Sequence, residues 1–188
     1  YADEILNAQS ASAVLTNSKF SKELLQQHYR VDSQVVYPGI NTTLFKPQVI
    51  DKENFVLSVG SLIYNKGHRF LISALSRIDA RSRPKLFIAA NSKQADEERA
   101  VRNLAAEVGV ELHIENITDD QRLVQVYNQA KLFVYAPMQE ALGMAPLEAM
   151  ACGTPVVAVA EGGVNETVVD GTGWLVKRDV DLFAHAVD

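Results

Sequence analysis

Two glutamates, Glu140 and Glu148, stand with seven residues between them in the segment 137–176, PMQEALGMAPLEAMACGTPVVAVAEGGVNETVVDGTGWLV. The apolar run 131–135 (KLFVY) upstream reads as a buried strand, and 136–143 reads as the loop leaving its carboxyl end. A helix is expected to begin near Ala145. Pro146 fits a first helical turn, where its missing N–H is not needed, and Glu148 then lies within that first turn, close to its free backbone N–H groups. Those N–H groups and the helix dipole attract a phosphate. One glutamate can stay in the loop facing a sugar while the other, on the helix, faces a ribose, so the arrangement suits a sugar nucleotide. A second candidate stretch is Gly60-Ser61-Leu62-Ile63-Tyr64-Asn65-Lys66-Gly67, where a strand end hands over to a helix. Ligands of open parallel sheets bind outside such ends. Gly60 lets the backbone approach a ligand, and the Lys66 ammonium can hold a diphosphate and stabilise the charge that builds on it as a bond to it breaks.

The elements that must position these groups follow from the spacing of apolar residues. Strands are expected at 12–18, 35–37, 55–61, 85–90, 111–114, 132–135, 155–160 and 173–176. Helices are expected at 20–29, where Ser18 supplies a cap, and at 67–78, 95–108, 119–130, 164–169 and from 179 onward. This alternation predicts an α/β fold with a doubly wound parallel sheet covered on both faces. The 188 residues are enough for one domain and slightly short for two, and 47% are hydrophobic. No apolar run approaches the roughly 18 residues that span a bilayer. A net charge of −5 with scattered Lys and Arg lacks the basic surface of a nucleic-acid binder. The single cysteine, Cys152, excludes an intrachain disulfide and is assigned to packing, as is Trp174. The histidines, His28, His68, His113 and His185, show no metal-ligand spacing, so neither metal nor cofactor is expected. No initiator Met and no leader are read, so the chain looks like a piece of something longer.

The segment Glu140-Ala141-Leu142-Gly143-Met144-Ala145-Pro146-Leu147-Glu148, followed by 149–158, Gly162-Gly163 and Glu166, resembles the E-x7-E region of the retaining GT-B glycosyltransferases of family 4, glycosyl transferases group 1. Residues 14–21 and 35–45 resemble stretches of the same family, so the resemblance covers about the whole chain. It implies a Rossmann-like doubly wound sheet forming the C-terminal half of a GT-B fold. Residues 1–188 would be the donor-binding domain, without the N-terminal acceptor domain and the final C-terminal helix. It further implies transfer of a hexose from a nucleoside diphosphate sugar to an acceptor hydroxyl, by same-face attack through an oxocarbenium-like transition state. Lys66 and Glu140 would be catalytic. Glu148 would accept hydrogen bonds from the ribose hydroxyls, and Glu140 would face the sugar. Backbone N–H groups of Leu142, Gly143, Met144 and Ala145 would meet the sugar and distal phosphate. Gly60, Ser61 and Lys66 would hold the diphosphate, and Asn116, Ile117 and Thr118 the nucleobase. Gly162, Gly163 and Glu166 are read either as closing the diphosphate side or as a turn with a capping carboxylate.

The family usually carries arginine where this chain has Ser61, so either another cation such as Arg69 substitutes or the diphosphate is held more weakly. The acceptor, a glycan, lipid or small molecule, would be bound through the missing domain. The full-length protein would be cytoplasmic, with peripheral contact to a membrane face open, and the isolated chain would transfer little because the site closes between two domains. Three other readings stand beside this one. A glycoside hydrolase also uses paired carboxylates, but has no need of Lys66 or of a helix start aimed at an anion. Another GT-B sugar-nucleotide enzyme, such as an epimerase, would share the fold. A non-catalytic nucleotide-sugar binding module would be compatible with Ser61.

Overall fold

The structure is a computed structural model and describes residues 2–188. It begins with a helix α1 (Ala2–Ser10), a strand β1 (Leu15–Thr16), a helix α2 (Lys19–Tyr29) and a strand β2 (Gln34–Val35). Ser18 starts α2 as expected, its extended backbone placing Oγ to accept the Ser21 N–H at 2.9 Å. β1 and β2 pair in parallel as a two-stranded sheet of their own and do not join the doubly wound sheet that the sequence pattern implied for them. The reason is local. A central parallel strand is buried on both faces and needs a continuous apolar run, whereas Leu15 and Val36 are exposed and no residue of α2 is buried.

The main sheet holds the strands β3 (Glu53–Val59), β4 (Lys85–Ala90), β5 (Leu112–Asn116), β6 (Ala130–Tyr135), β7 (Val156–Val159) and β8 (Gly173–Val176). Between them run α3 (His68–Leu75), α4 (Ala95–Val108), α5 (Asp120–Gln129), α6 (Met144–Ala151) and α7 (Val164–Thr167), and α8 (Val180–Val187) follows β8. The order is β5-β4-β3-β6-β7-β8, and every neighbouring pair is parallel. The chain winds outward from β3 to β5, returns to β6 beside β3, and winds outward again, which puts a topological switch point between β3 and β6.

Strand side chains alternate between two cores. Val56, Leu86, Ile88, Val134 and Val157 pack against Leu71 and Leu75 of α3, Val101 of α4 and Phe183 of α8. Phe55, Leu57, Phe87, Phe133 and Val156 pack against Val124 and Tyr127 of α5, Ala149 of α6 and Val164 of α7. Helices on both faces give the doubly wound sheet that the alternation predicted. Cys152 lies in the second core as expected. Trp174 does not lie in a core. It is 61% exposed, because β8 is the edge of the sheet and has a neighbour on one side only.

Candidate functional site

β3 and β6 are parallel neighbours, so the loops leaving their carboxyl ends meet at the switch point, where open parallel sheets form their ligand crevice. After β3 the chain passes Gly60, at φ 151, and Ser61, then a 3-10 turn Tyr64–Lys66 that delivers Gly67 to the start of α3. After β6 it runs through Ala136 to Gly143 into α6. These two loops are stitched together. The Met138 N–H donates to the Asn65 carbonyl at 2.8 Å, and a Cβ on Gly67 would overlap the Ala136 carbonyl oxygen, so only glycine permits this approach. The same holds at Gly163, where a Cβ would overlap the Ala141 carbonyl, and the Gly163 N–H donates to the Glu140 carbonyl at 2.8 Å.

Lys66 and Glu140 meet in this crevice. Nζ of Lys66 lies 2.6 Å from Oε2 of Glu140, with the two side chains 23% and 21% exposed. The same oxygen accepts the Tyr135 hydroxyl at 3.2 Å. Glu148 falls in the second turn of α6 rather than the expected first, because the helix already begins at Met144, and it accepts the Tyr127 hydroxyl on Oε2 at 2.8 Å. Burial raises the Glu148 carboxyl above its ordinary range and Asp120 adds to the rise, while the Tyr127 hydrogen bond opposes it. No side chain caps the start of α6, so its first-turn N–H groups have no side-chain acceptor. Leu142 and Gly143 are buried there, and Met144 and Ala145 are half-buried.

Other expected residues lie further out. The Ser61 hydroxyl donates to Asn91 Oδ1 at 3.1 Å and accepts from the Ser92 hydroxyl at 2.9 Å. Arg69 is committed elsewhere: its guanidinium donates twice to the buried Glu97 of α4 and lies over the Tyr64 ring. Its Nε and one terminal nitrogen are thus taken up by a contact that ties α3 to α4. Asn116 ends β5, the edge strand opposite β8, and is exposed. Ile117 is 7% exposed and packs into the core, so what it can offer a ligand is mainly backbone. Thr118 is exposed beside it.

Glu166 acts as a capping carboxylate, but for a distant helix. Its two oxygens accept the Lys19 and Phe20 N–H groups, each at 2.9 Å, at the start of α2, and Oε2 also accepts the Tyr37 hydroxyl at 2.6 Å. Burial alone would raise this carboxyl, yet those three donors hold it below the ordinary range. Among the described residues, no group of three or more His, Cys, Asp or Glu side chains is placed to hold a metal ion. Among the described residues, no helix is long and apolar enough to cross a membrane.

The sequence pattern gave no role to Tyr127, Tyr135 or Arg178. Arg178, ahead of α8, donates to the Ala136 carbonyl at 3.1 Å and the Pro137 carbonyl at 2.7 Å while paired with Glu161. It thus holds the loop that carries Glu140 from outside the motif. The only local signal for Tyr135 is a polar-tipped aromatic at the end of an apolar strand. For Arg178 and Tyr127 there is none.

Residues 40–188 match the family described as glycosyl transferases group 1. Among curated proteins, the chain is 28% identical to the alpha-1,3/1,6-mannosyltransferase ALG2 of Kluyveromyces lactis, over 95% of this chain and 46% of that protein. It is 31% identical to D-inositol 3-phosphate glycosyltransferase of Mycobacterium sp., over 95% and 44% respectively. Among solved structures, sucrose-phosphate synthase from Thermosynechococcus elongatus superposes with a TM-score of 0.87 at 26% identity, covering 98% of this chain and 50% of that one. The chain spans about half the length of the curated relatives it matches.

Proposed function

The chain belongs to the family glycosyl transferases group 1, and on that premise we propose that it is the donor-binding part of a retaining hexosyltransferase that uses a nucleoside diphosphate sugar. The observation that carries this reading is the junction of Lys66 and Glu140 at the β3–β6 switch point, beside a helix start that no side chain closes. The first-turn N–H groups of α6 and the Lys66 ammonium offer the positive field that a diphosphate needs. As the sugar leaves, charge grows on that diphosphate, and a fixed ammonium stabilises the transition state more than the ground state.

Glu148 accepts the ribose hydroxyls and Glu140 accepts hydroxyls of the transferred hexose, each a task suited to a carboxylate with two acceptor oxygens. The Lys66–Glu140 pair then exchanges one partner for another when the donor enters, Lys66 turning to phosphate and Glu140 to sugar. The acceptor site, a glycan, lipid or small molecule, belongs to the remainder of the protein. A hydrolytic role for the two glutamates is less well supported, because Glu140 is held by an ammonium and Glu148 by a buried phenol, and a hydrolase has no need of Lys66 or of a helix start aimed at an anion.

The test is transfer by the full-length protein. It is expected to move hexose from a nucleoside diphosphate sugar with retention at the anomeric carbon, read by proton NMR of the product. Inversion would overturn the retaining assignment. Nucleotide-sugar binding with no transfer to any acceptor would favour a non-catalytic binding module.

A further inference from the structure

Beneath the two glutamates lies a buried aromatic column. Tyr127 of α5, Phe133 and Tyr135 of β6 are at most 4% exposed, and ring centroids are 5.7 Å apart both from Tyr127 to Phe133 and from Phe133 to Tyr135. Each end of the column bears a phenol, and each phenol donates to Oε2 of a different glutamate: Tyr127 to Glu148 at 2.8 Å and Tyr135 to Glu140 at 3.2 Å. Neither carboxylate uses Oε1 for a hydrogen bond among the described residues. Resting on the nucleotide-sugar reading, we propose that Tyr127 and Tyr135 are positioning residues, each fixing one glutamate from inside the fold so that its second oxygen is left for the ligand.

A phenol buried this deeply must find an acceptor or leave a polar group unsatisfied, and each finds a carboxylate. The rings cannot move independently, because Phe133 separates them and is itself fully buried, so the two phenols keep a fixed spacing beneath the two glutamates. Burial drives both phenols well above their ordinary range, so both remain protonated donors wherever the carboxylates are ionised. The Tyr127 main chain is pinned as well, its carbonyl accepting the Thr154 hydroxyl at 2.6 Å. A glutamate held on one oxygen has lost much of its rotamer freedom before the donor arrives, which lowers the entropy cost of binding.

The groups facing Glu148 are Tyr127 and Asp120 of α5, Tyr135 of β6 and Cys152 at the end of its own helix. Of these only Tyr127 lowers its carboxyl pKa. Removing that hydroxyl must therefore raise the pKa, whereas removing the Tyr135 hydroxyl should leave it nearly in place.

The test uses Tyr127→Phe and Tyr135→Phe, each of which deletes one oxygen and keeps the ring packing. Two measurements are made: carboxyl-carbon NMR titration of Glu148 without ligand, assigned with Glu148→Gln, and calorimetric titration with a nucleoside diphosphate and its hexose conjugate. The expected result is an upward shift of the Glu148 titration in Tyr127→Phe only. Nucleoside diphosphate affinity should fall about tenfold in that variant, the scale of one hydrogen bond to a charged group. In Tyr135→Phe the free diphosphate should bind as in the wild type, while the extra affinity contributed by the hexose falls. An unmoved Glu148 titration in Tyr127→Phe would overturn the inference whichever way binding falls, as would equal losses of both ligands in both variants. Failure of the wild type to bind any nucleoside diphosphate would instead overturn the nucleotide-sugar reading.

Discussion

Two ion pairs flank the start of α3, and they differ in what they are for. Arg69 pairs with Glu97, which is 4% exposed, and so ties α3 to α4 on one face of the sheet. Lys66, three positions earlier, pairs with Glu140 across the crevice between β3 and β6, and both side chains stay about one-fifth exposed. A cation matched to a buried carboxylate is committed to the fold, since removing it strands a charge. A cation paired with another ligand-binding candidate at a crevice is available, because an entering diphosphate can replace its partner. The same contrast answers the question raised by Ser61: the nearby arginine is not a spare one.

The largest effect should come from Lys66→Ala. In the proposed transfer reaction, turnover of a nucleoside diphosphate sugar is expected to fall by about 10²- to 10³-fold, as when one preorganised electrostatic group is deleted. Thermal stability should fall less than in Arg69→Ala, because Glu140 keeps the Tyr135 hydroxyl and some contact with water, whereas Glu97 is almost wholly buried. A steady-state assay beside a melting curve checks both, and a large stability loss with unchanged turnover would erase the distinction between the two pairs.

Arg69→Ala is the mirror experiment. It should lower the melting temperature, since Glu97 loses its partner, and leave donor affinity roughly unchanged. Loss of donor binding without loss of stability would mean that Arg69 reaches the ligand after all.

Ser61→Arg sharpens the contrast by adding a cation on the crevice side. Diphosphate binding is expected to tighten by up to about tenfold, the strength of a charge-assisted hydrogen bond, measured by calorimetry. No gain would mean that another residue already fills the role.

The smallest effect concerns Glu148. Its folded pKa is raised above the unfolded value, so the folded state binds more protons than the unfolded one between the two pKa values. Stability therefore falls as pH rises through that window, and the ionised carboxylate is a cost to the fold at neutral pH. Glu148→Gln should then melt slightly higher at pH 7 than the wild type, with the difference vanishing below the unfolded pKa near 4.5, while nucleotide binding weakens. A lower melting temperature at neutral pH would contradict the assigned sign.

Much of the main sheet was legible because its determinants are local. β4 and α4 run 85–90 and 95–108 as the periodicity predicts, and glycines with carboxylates at fixed offsets mark the β6–α6 loop. What was not legible depends on pairing between distant segments. Lys66 and Glu140 are 74 residues apart, and Glu166 caps a helix 146 residues upstream. A pattern of neighbours along the chain carries no information about such partners. Trp174 failed for a related reason: its strand looks like any other apolar run, and only the sheet order makes β8 an edge. β1 and β2 failed because short apolar runs read as strands whether or not a sheet has room for them.

The most direct test of the central claim is calorimetric titration of this chain with UDP, GDP and ADP and their hexose conjugates, repeated on Lys66→Ala and Glu148→Ala. Saturable binding of one nucleotide family, weakened in both variants while their melting curves stay close to that of the wild type, is the predicted result. Binding that is unchanged in both variants would place the nucleotide elsewhere and contradict a donor site at the β3–β6 switch point.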